Sequence, residues 1–190
     1  MELKALYREI VNEHNLHPSH KKKLGGATMT LEGVNPSCGD DIELQLLIKD
    51  GVIEDAAFNG SGCAISQASC DMMCDRIIGE KEEDALALAQ NFMGMIKGTA
   101  TDEQIETLDE SAALKDISHM PARVKCAVLG WRTMSEMVEK LNAEGVDTAS
   151  ATAQNSDACG VCATNSAAVC KPDCQGCCSE PSKKDPEGKA

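Results

Sequence analysis

The sequence predicts an α+β fold, and two observations predict it. Strand-type segments are confined to residues 28–59, and helical periodicity occupies the chain before them and after them as far as residue 141. The opening helix covers residues 2–14, where Leu3, Leu6, Tyr7, Ile10 and Val11 recur at spacings of three and four. His17-Pro18, the Lys21–Lys23 run and Gly25-Gly26 read as a connecting loop. Thr28–Leu31 is a first strand. Asp41–Lys49 alternates, placing Ile42, Leu44, Leu46 and Ile48 on one face of a half-buried strand. Asp50-Gly51 is a hairpin turn signal, and Val52–Asn59 is the strand it leads into. The period then changes. Ala64–Ile78 reads as a helix after the Gly60-Ser61-Gly62 loop, and Glu82–Lys97 as another with Leu86, Leu88, Ala89, Phe92 and Ile96 inward. Asp102–Leu114 holds one or two shorter turns. Pro121 ends the Asp116–Met120 segment and suits a helix start. One last helix runs from about Ala122 to Leu141, its buried stripe traced by Val124, Val128, Trp131, Met134 or Ser135, Val138 and Leu141.

Composition narrows the function. Aromatic residues make up 2% of the 190 residues, so the core must come from Leu, Ile, Val, Ala and Met, with Met72, Met73, Met93 and Met95 filling it. A net charge of -13 disfavours a nucleic-acid backbone or an anionic membrane and suits a basic protein partner or simple solubility. The charged N-terminus lacks the apolar run of a secretory leader, and no stretch reaches the roughly 20 apolar residues of a membrane span, so a cytoplasmic location is expected. Eleven cysteines in a reducing compartment point to metal, sulfur or redox chemistry rather than a disulfide framework. The expected organisation is a domain over 1–145, a flexible linker rich in Ala, Thr, Ser, Asp and Asn over 146–158, and a cysteine-rich tail over 159–190. In the tail, Cys159-x-x-Cys162 and Cys174-x-x-Cys177 have metal-type spacing, with Cys170 and Cys178 nearby; a redox, sulfur-storage or disordered oxidisable tail is the alternative.

Within the domain, three cysteines sit where loops and helix ends favour chemistry. Cys38 lies in Asn35-Pro36-Ser37-Cys38-Gly39-Asp40, a turn in which Cys38 and Asp40 can converge on one ion. Cys63 follows Gly60-Ser61-Gly62 at a helix N-terminus, whose partial positive charge favours thiolate. Cys126 lies in Arg123-Val124-Lys125-Cys126, where the two cations favour thiolate and suit the role of outer partners to a metal centre. Three thiolates and a carboxylate suit four-coordinate zinc, and soft sulfur donors also suit iron–sulfur chemistry. Spacing alone leaves open that the three are unrelated buried residues, since this part of the chain has no Cys-x-x-Cys pair. Cys70 and Cys74 share a helical face, either as small packing residues or as a secondary sulfur relay. His14, His17 and His20 read as solvated residues rather than ligands, and His119 precedes Pro121 within reach of Cys126 in sequence.

The segments Asn35–Asp40, Gly60-Ser61-Gly62-Cys63-Ala64-Ile65-Ser66 and Arg123-Val124-Lys125-Cys126-Ala127 together resemble the IscU/NifU N-terminal family of iron–sulfur assembly proteins, over about residues 2–142. They are most similar to its SufU branch. Lys125 stands where the scaffold-type members carry a histidine, and the stretch between Cys63 and Cys126 is longer than theirs. The resemblance implies a small antiparallel three-stranded sheet with helices packed on one face. It implies Zn²⁺ on Cys38, Asp40, Cys63 and Cys126, with Arg123 aiding docking. It also implies a PLP-dependent cysteine desulfurase of the SufS type as partner. Cys38 would accept persulfide sulfur, stimulate the desulfurase as a sulfurtransferase-like carrier and pass sulfur to a downstream cluster scaffold. A scaffold that assembles a [2Fe–2S] cluster, or holds Fe, on the same four residues is the alternative.

Overall fold

This computed structural model describes residues 3–144 of the chain. The expected linker and the six tail cysteines, Cys159 to Cys178, lie outside the described residues. Ten elements follow in order: α1 Leu3–Leu16, β1 Met29–Asn35, β2 Asp40–Lys49, β3 Val52–Ser61, α2 Ala64–Ile77, α3 Glu82–Lys97, α4 Asp102–Glu106, a 3-10 helix Asp109–His119, α5 Pro121–Ala127 and α6 Leu129–Glu144.

The strands form one antiparallel sheet in the order β1-β2-β3. Alternation in β2 works as expected: Ile42, Leu44, Leu46 and Ile48 are buried on the face the helices cover, while Asp41 and Lys49 are exposed. The Asp50-Gly51 turn takes positive φ at both residues (50° and 73°), the backbone of the tight hairpin that suits the strands' twist. β1 runs four residues past the expected Leu31, pairing as far as Asn35 opposite Asp40. Gly33 interrupts its hydrophobic pattern for a packing reason, since a Cβ there would meet Thr133 Oγ1 of α6 at 2.3 Å.

The free edge of β3 is covered by loops. Phe58 N donates to His20 O at 3.0 Å, and Ile53 exchanges backbone hydrogen bonds with Gly79 and Glu80. That satisfies groups an edge strand would otherwise leave open.

Behind the sheet, Phe92 of α3 stacks on Trp131 of α6 with centroids 4.8 Å apart. Buried methionines fill around them: Met72, Met73, Met95, Met134 and Met137. The single final helix expected from the sequence is two helices, α5 and α6, broken at Val128. The Ala127 carbonyl accepts a hydrogen bond from Ser69 Oγ of α2 at 2.6 Å, and the chain then passes so close to α2 that a Cβ on Gly130 would sit 2.5 Å from Cys70 Sγ. Pro121 starts α5 as expected. Among the described residues no helix is long and apolar enough to cross a membrane.

Candidate metal centre

Three separate regions deliver the centre. β1 ends at Asn35 and β2 begins at Asp40, leaving a four-residue turn that is closed by Cys38 N and Gly39 N donating to Asn35 O at 3.2 and 2.9 Å. Cys38 stands exposed on that turn, and Asp40 opens β2 fully buried. Cys63 is the N-cap of α2, its Sγ accepting from Ser66 N at 3.4 Å. Cys126 is buried on α5. One ligand atom from each of Cys38, Asp40, Cys63 and Cys126 lies within 4.8 Å of the others. On a tetrahedral zinc with bonds of about 2.3 Å, sulfurs stand about 3.8 Å apart, so a small contraction would seat the ion.

A frame of hydrogen bonds holds the cluster. Asp40 Oδ1 accepts from Cys63 N at 2.7 Å, which joins the start of β2 to the start of α2. Asn35 Nδ2 donates to Asp40 Oδ2 at 2.9 Å and to Cys126 Sγ at 3.3 Å. Asn35 is the functional residue that reading the sequence by residue type missed. The signal lay in its place beside Pro36, where it closes the ladder opposite Asp40.

The electrostatics correct one expectation. Burial pushes the Cys63 thiol up, and the Asp40 charge adds to that; the N–H groups of Ser66 and Ile65 and the Cys126 thiol pull the other way without prevailing. Cys126 is also raised, first by burial and then by its hydrogen bonds to Asp40, Cys38 and Cys63. Thus the helix N-terminus and the two cations do not by themselves make thiolates here. Lys125 Nζ donates instead to Ser37 Oγ at 3.3 Å, tying α5 to the Cys38 turn, and Arg123 donates to Met120 Sδ at 3.4 Å. Asp40 moves the opposite way. Burial would raise its carboxyl, but the Cys63 N–H, the Cys126 thiol and Asn35 together hold it below the usual range. A carboxyl held toward its anionic form beside the raised thiols of Cys63 and Cys126 is a centre that suits a cation.

Cys70 and Cys74 are fully buried on α2, with burial pushing Cys70 up to about 12 and Cys74 well above its ordinary value. They pack as small apolar residues. His119 is exposed and is not among the converging ligand atoms.

The reading of the histidines as solvated holds for His17, which is exposed, and fails for His14 and His20. His14 Nδ1 lies 2.8 Å from Asp71 Oδ2 and its Nε2 lies 2.7 Å from Glu110 Oε2, while His20 Nε2 lies 2.7 Å from Asp75 Oδ1. Asp71 is buried within α2 and also accepts from the backbone of Ser19 and His20. A buried aspartate in a helix of apolar and small residues was the available sign, because such a charge requires partners. Burial would lower the His14 pKa, but the hydrogen bonds to Asp71 and Glu110 and their charges raise it overall. Its contribution to stability is therefore complete below about 6.5, the unfolded value, and is lost as pH rises through the higher folded value. His14→Gln should cost about 2 kcal/mol at pH 6 and should flatten this alkaline decline. Denaturant midpoints across pH for both proteins check it; parallel curves would refute the clasp.

Comparison with known proteins extends over the same region. Residues 6–127 match the family model for the NifU-like N terminal domain. The chain is 41% identical over 142 residues to the iron–sulfur cluster assembly scaffold protein IscU of Thermotoga maritima, covering 75% of this chain and 99% of that one. It is 38% identical over 138 residues to the zinc-dependent sulfurtransferase SufU of Bacillus subtilis, covering 73% and 92%. A crystal structure of a candidate SUF-system scaffold from Fervidobacterium islandicum superposes with a TM-score of 0.65 at 35% identity, covering 68% of this chain and 94% of the other.

Proposed function

The chain belongs to the NifU-like N-terminal domain family, and from that premise we propose that it is a zinc-dependent sulfur acceptor of iron–sulfur cluster assembly. It takes sulfur from the persulfide of a PLP-dependent cysteine desulfurase onto Cys38 and passes it to a downstream scaffold. The observation that carries the reading is the convergence of three thiols and a carboxylate in which Cys38 alone is exposed.

Cys38, Asp40, Cys63 and Cys126 would hold the zinc. When bound, zinc supplies the positive charge that keeps thiols ionised near neutral pH. Asn35 and the Cys63 N–H fix Asp40, and Asp40 with Cys126 and Cys63 forms the anchored part of the set. Cys38, on its surface turn, is free to meet a partner. Its thiolate attacks the outer sulfur of the desulfurase persulfide; a new S–S bond forms to Cys38, and the desulfurase cysteine departs as thiolate.

Alanine release from cysteine by a desulfurase, measured with zinc-loaded and with metal-free protein, tests the reading. Stimulation by the zinc-loaded form alone is expected. Equal stimulation by both forms would remove the zinc dependence, and no stimulation by either would remove the acceptor role.

The 41% identity to a relative named as a scaffold favours a second reading, assembly of a [2Fe–2S] cluster as cargo on the same four residues. A stable, transferable cluster after reconstitution, without desulfurase stimulation, would select it. Lys125 weighs for the first reading, because its ammonium offers no lone pair to iron where scaffold-type members have an imidazole.

For the tail, the two Cys-x-x-Cys pairs support a separate metal site on Cys159, Cys162, Cys170, Cys174, Cys177 and Cys178. A chain ending at residue 145 should then bind less metal than the full chain. Equal metal content per chain would remove the tail site.

A further inference from the structure

Beside the candidate metal centre the surface is hollowed into a cleft of about 510 Å³, lined by Cys38, Cys63 and Cys126. Tyr7 and Arg8 of α1 and Ile65 of α2 also line it, with Arg123 of α5. Two guanidiniums border this cleft and no carboxylate does, on a chain with 31 acidic and 18 basic residues. Among the described residues neither Arg8 nor Arg123 is in an ion pair; Asp116, in the adjoining hollow, pairs with neither. Both arginines thus line an opening beside thiols, and neither guanidinium is committed to an acid, Arg123 donating only to Met120 Sδ. The planar donor fork of a guanidinium matches a carboxylate. A concavity of this volume falls among small-molecule sites, which span roughly 300–1,000 Å³ and mix apolar walls with a few placed polar groups.

Resting on the sulfur-acceptor reading above, we propose that the cleft binds a low-molecular-weight thiol bearing a carboxylate, held by Arg8 and Arg123, and that this thiol takes the sulfur from Cys38 and carries it on to the downstream scaffold. The thiolate of the small molecule attacks the outer sulfur of the Cys38 persulfide. An S–S bond forms to the small thiol, the S–S bond to Cys38 breaks, and Cys38 departs as thiolate. The proton on the outer sulfur leaves with the product persulfide, and no external oxidant or reductant is consumed.

Two measurements on the full chain test this. The first needs no persulfide: alkylation of Cys38 in metal-free protein by iodoacetate and by iodoacetamide, mapped by peptide mass. The rate ratio of anionic to neutral reagent should exceed that of free cysteine by roughly tenfold. It should fall to the free-cysteine ratio in Arg8→Gln/Arg123→Gln and persist in Arg8→Lys/Arg123→Lys, whose retained charge controls for folding.

In the second, protein persulfidated by a desulfurase is treated with 3-mercaptopropionate or 2-mercaptoethanol at equal thiolate concentration, and the loss of one sulfur is followed by intact mass. Faster loss to 3-mercaptopropionate, abolished in the Gln pair, is expected. If no persulfide forms on Cys38, the acceptor reading fails and this one with it. A persulfide that leaves at equal rates to both probes overturns this proposal alone. Indifference to the probes, coupled with loss of desulfurase stimulation in the Gln pair, would assign the cleft to an acidic protein partner instead.

Discussion

Cys38→Ala is expected to reduce desulfurase stimulation to the rate of the desulfurase alone while leaving the domain folded. The side chain is exposed on a turn whose closure uses backbone groups, so its removal opens no cavity. Stability of the metal-free variant should stay within about 0.5 kcal/mol of the parent, as for an ordinary surface substitution. The chemical loss should be complete, because Cys126 is buried on α5 and Cys63 half-buried at the start of α2, so neither meets a partner as the exposed Cys38 does. Alanine release and thermal melting, read together, separate the two effects. Normal acceleration by a folded Cys38→Ala protein would show that Cys38 is not the acceptor.

Asp40→Ala is expected to damage both the frame and the transfer. The carboxylate is fully buried and accepts from Cys63 N and Asn35 Nδ2. Its loss leaves the Cys63 N–H without its acceptor and Asn35 Nδ2 with Cys126 Sγ alone, at a cost of about 1–3 kcal/mol, read as a lower melting temperature. Asp40 is also the hard oxygen donor among soft sulfurs. An all-sulfur remainder would hold Cys38 more tightly, so sulfur transfer should slow by roughly tenfold, the factor that about 1.4 kcal/mol of barrier produces. Single-turnover transfer kinetics at full metal occupancy decide it, and an unchanged rate would remove the role assigned to Asp40.

How much of this was legible differs from element to element. β2 could be read directly, because Ile42, Leu44, Leu46 and Ile48 alternate without interruption. α3 could be read to the residue, because acidic residues open it and Gly98 closes it in a left-handed cap. The end of β1 could not, because Gly33 is small to admit Thr133, a tertiary reason with no local trace. The break between α5 and α6 was hidden for the same kind of reason, a hydroxyl from Ser69 across the core. At the site, spacing left Cys38, Cys63 and Cys126 unlinked, and the joint resemblance of three motifs linked them. Thiol acidity was misjudged because local cues of positive charge ignore burial, which dominates at Cys63 and Cys126. The His14 clasp was missed because it joins side chains 57 and 96 residues apart in sequence.

The loops along β3 have a consequence for behaviour at high concentration. With that edge closed, the outer edge of β1 is where another strand could add. There Glu32 stands opposite Glu43, and the Glu32 carboxyl pKa is raised first by its hydrogen bond with Asp41, then by the charges of Asp41 and Glu43. Like charges facing across a strand pair weaken the sheet. A second copy arriving edge-on would crowd further carboxylates into the same row, so mutual repulsion guards this rim against stacking and aggregation.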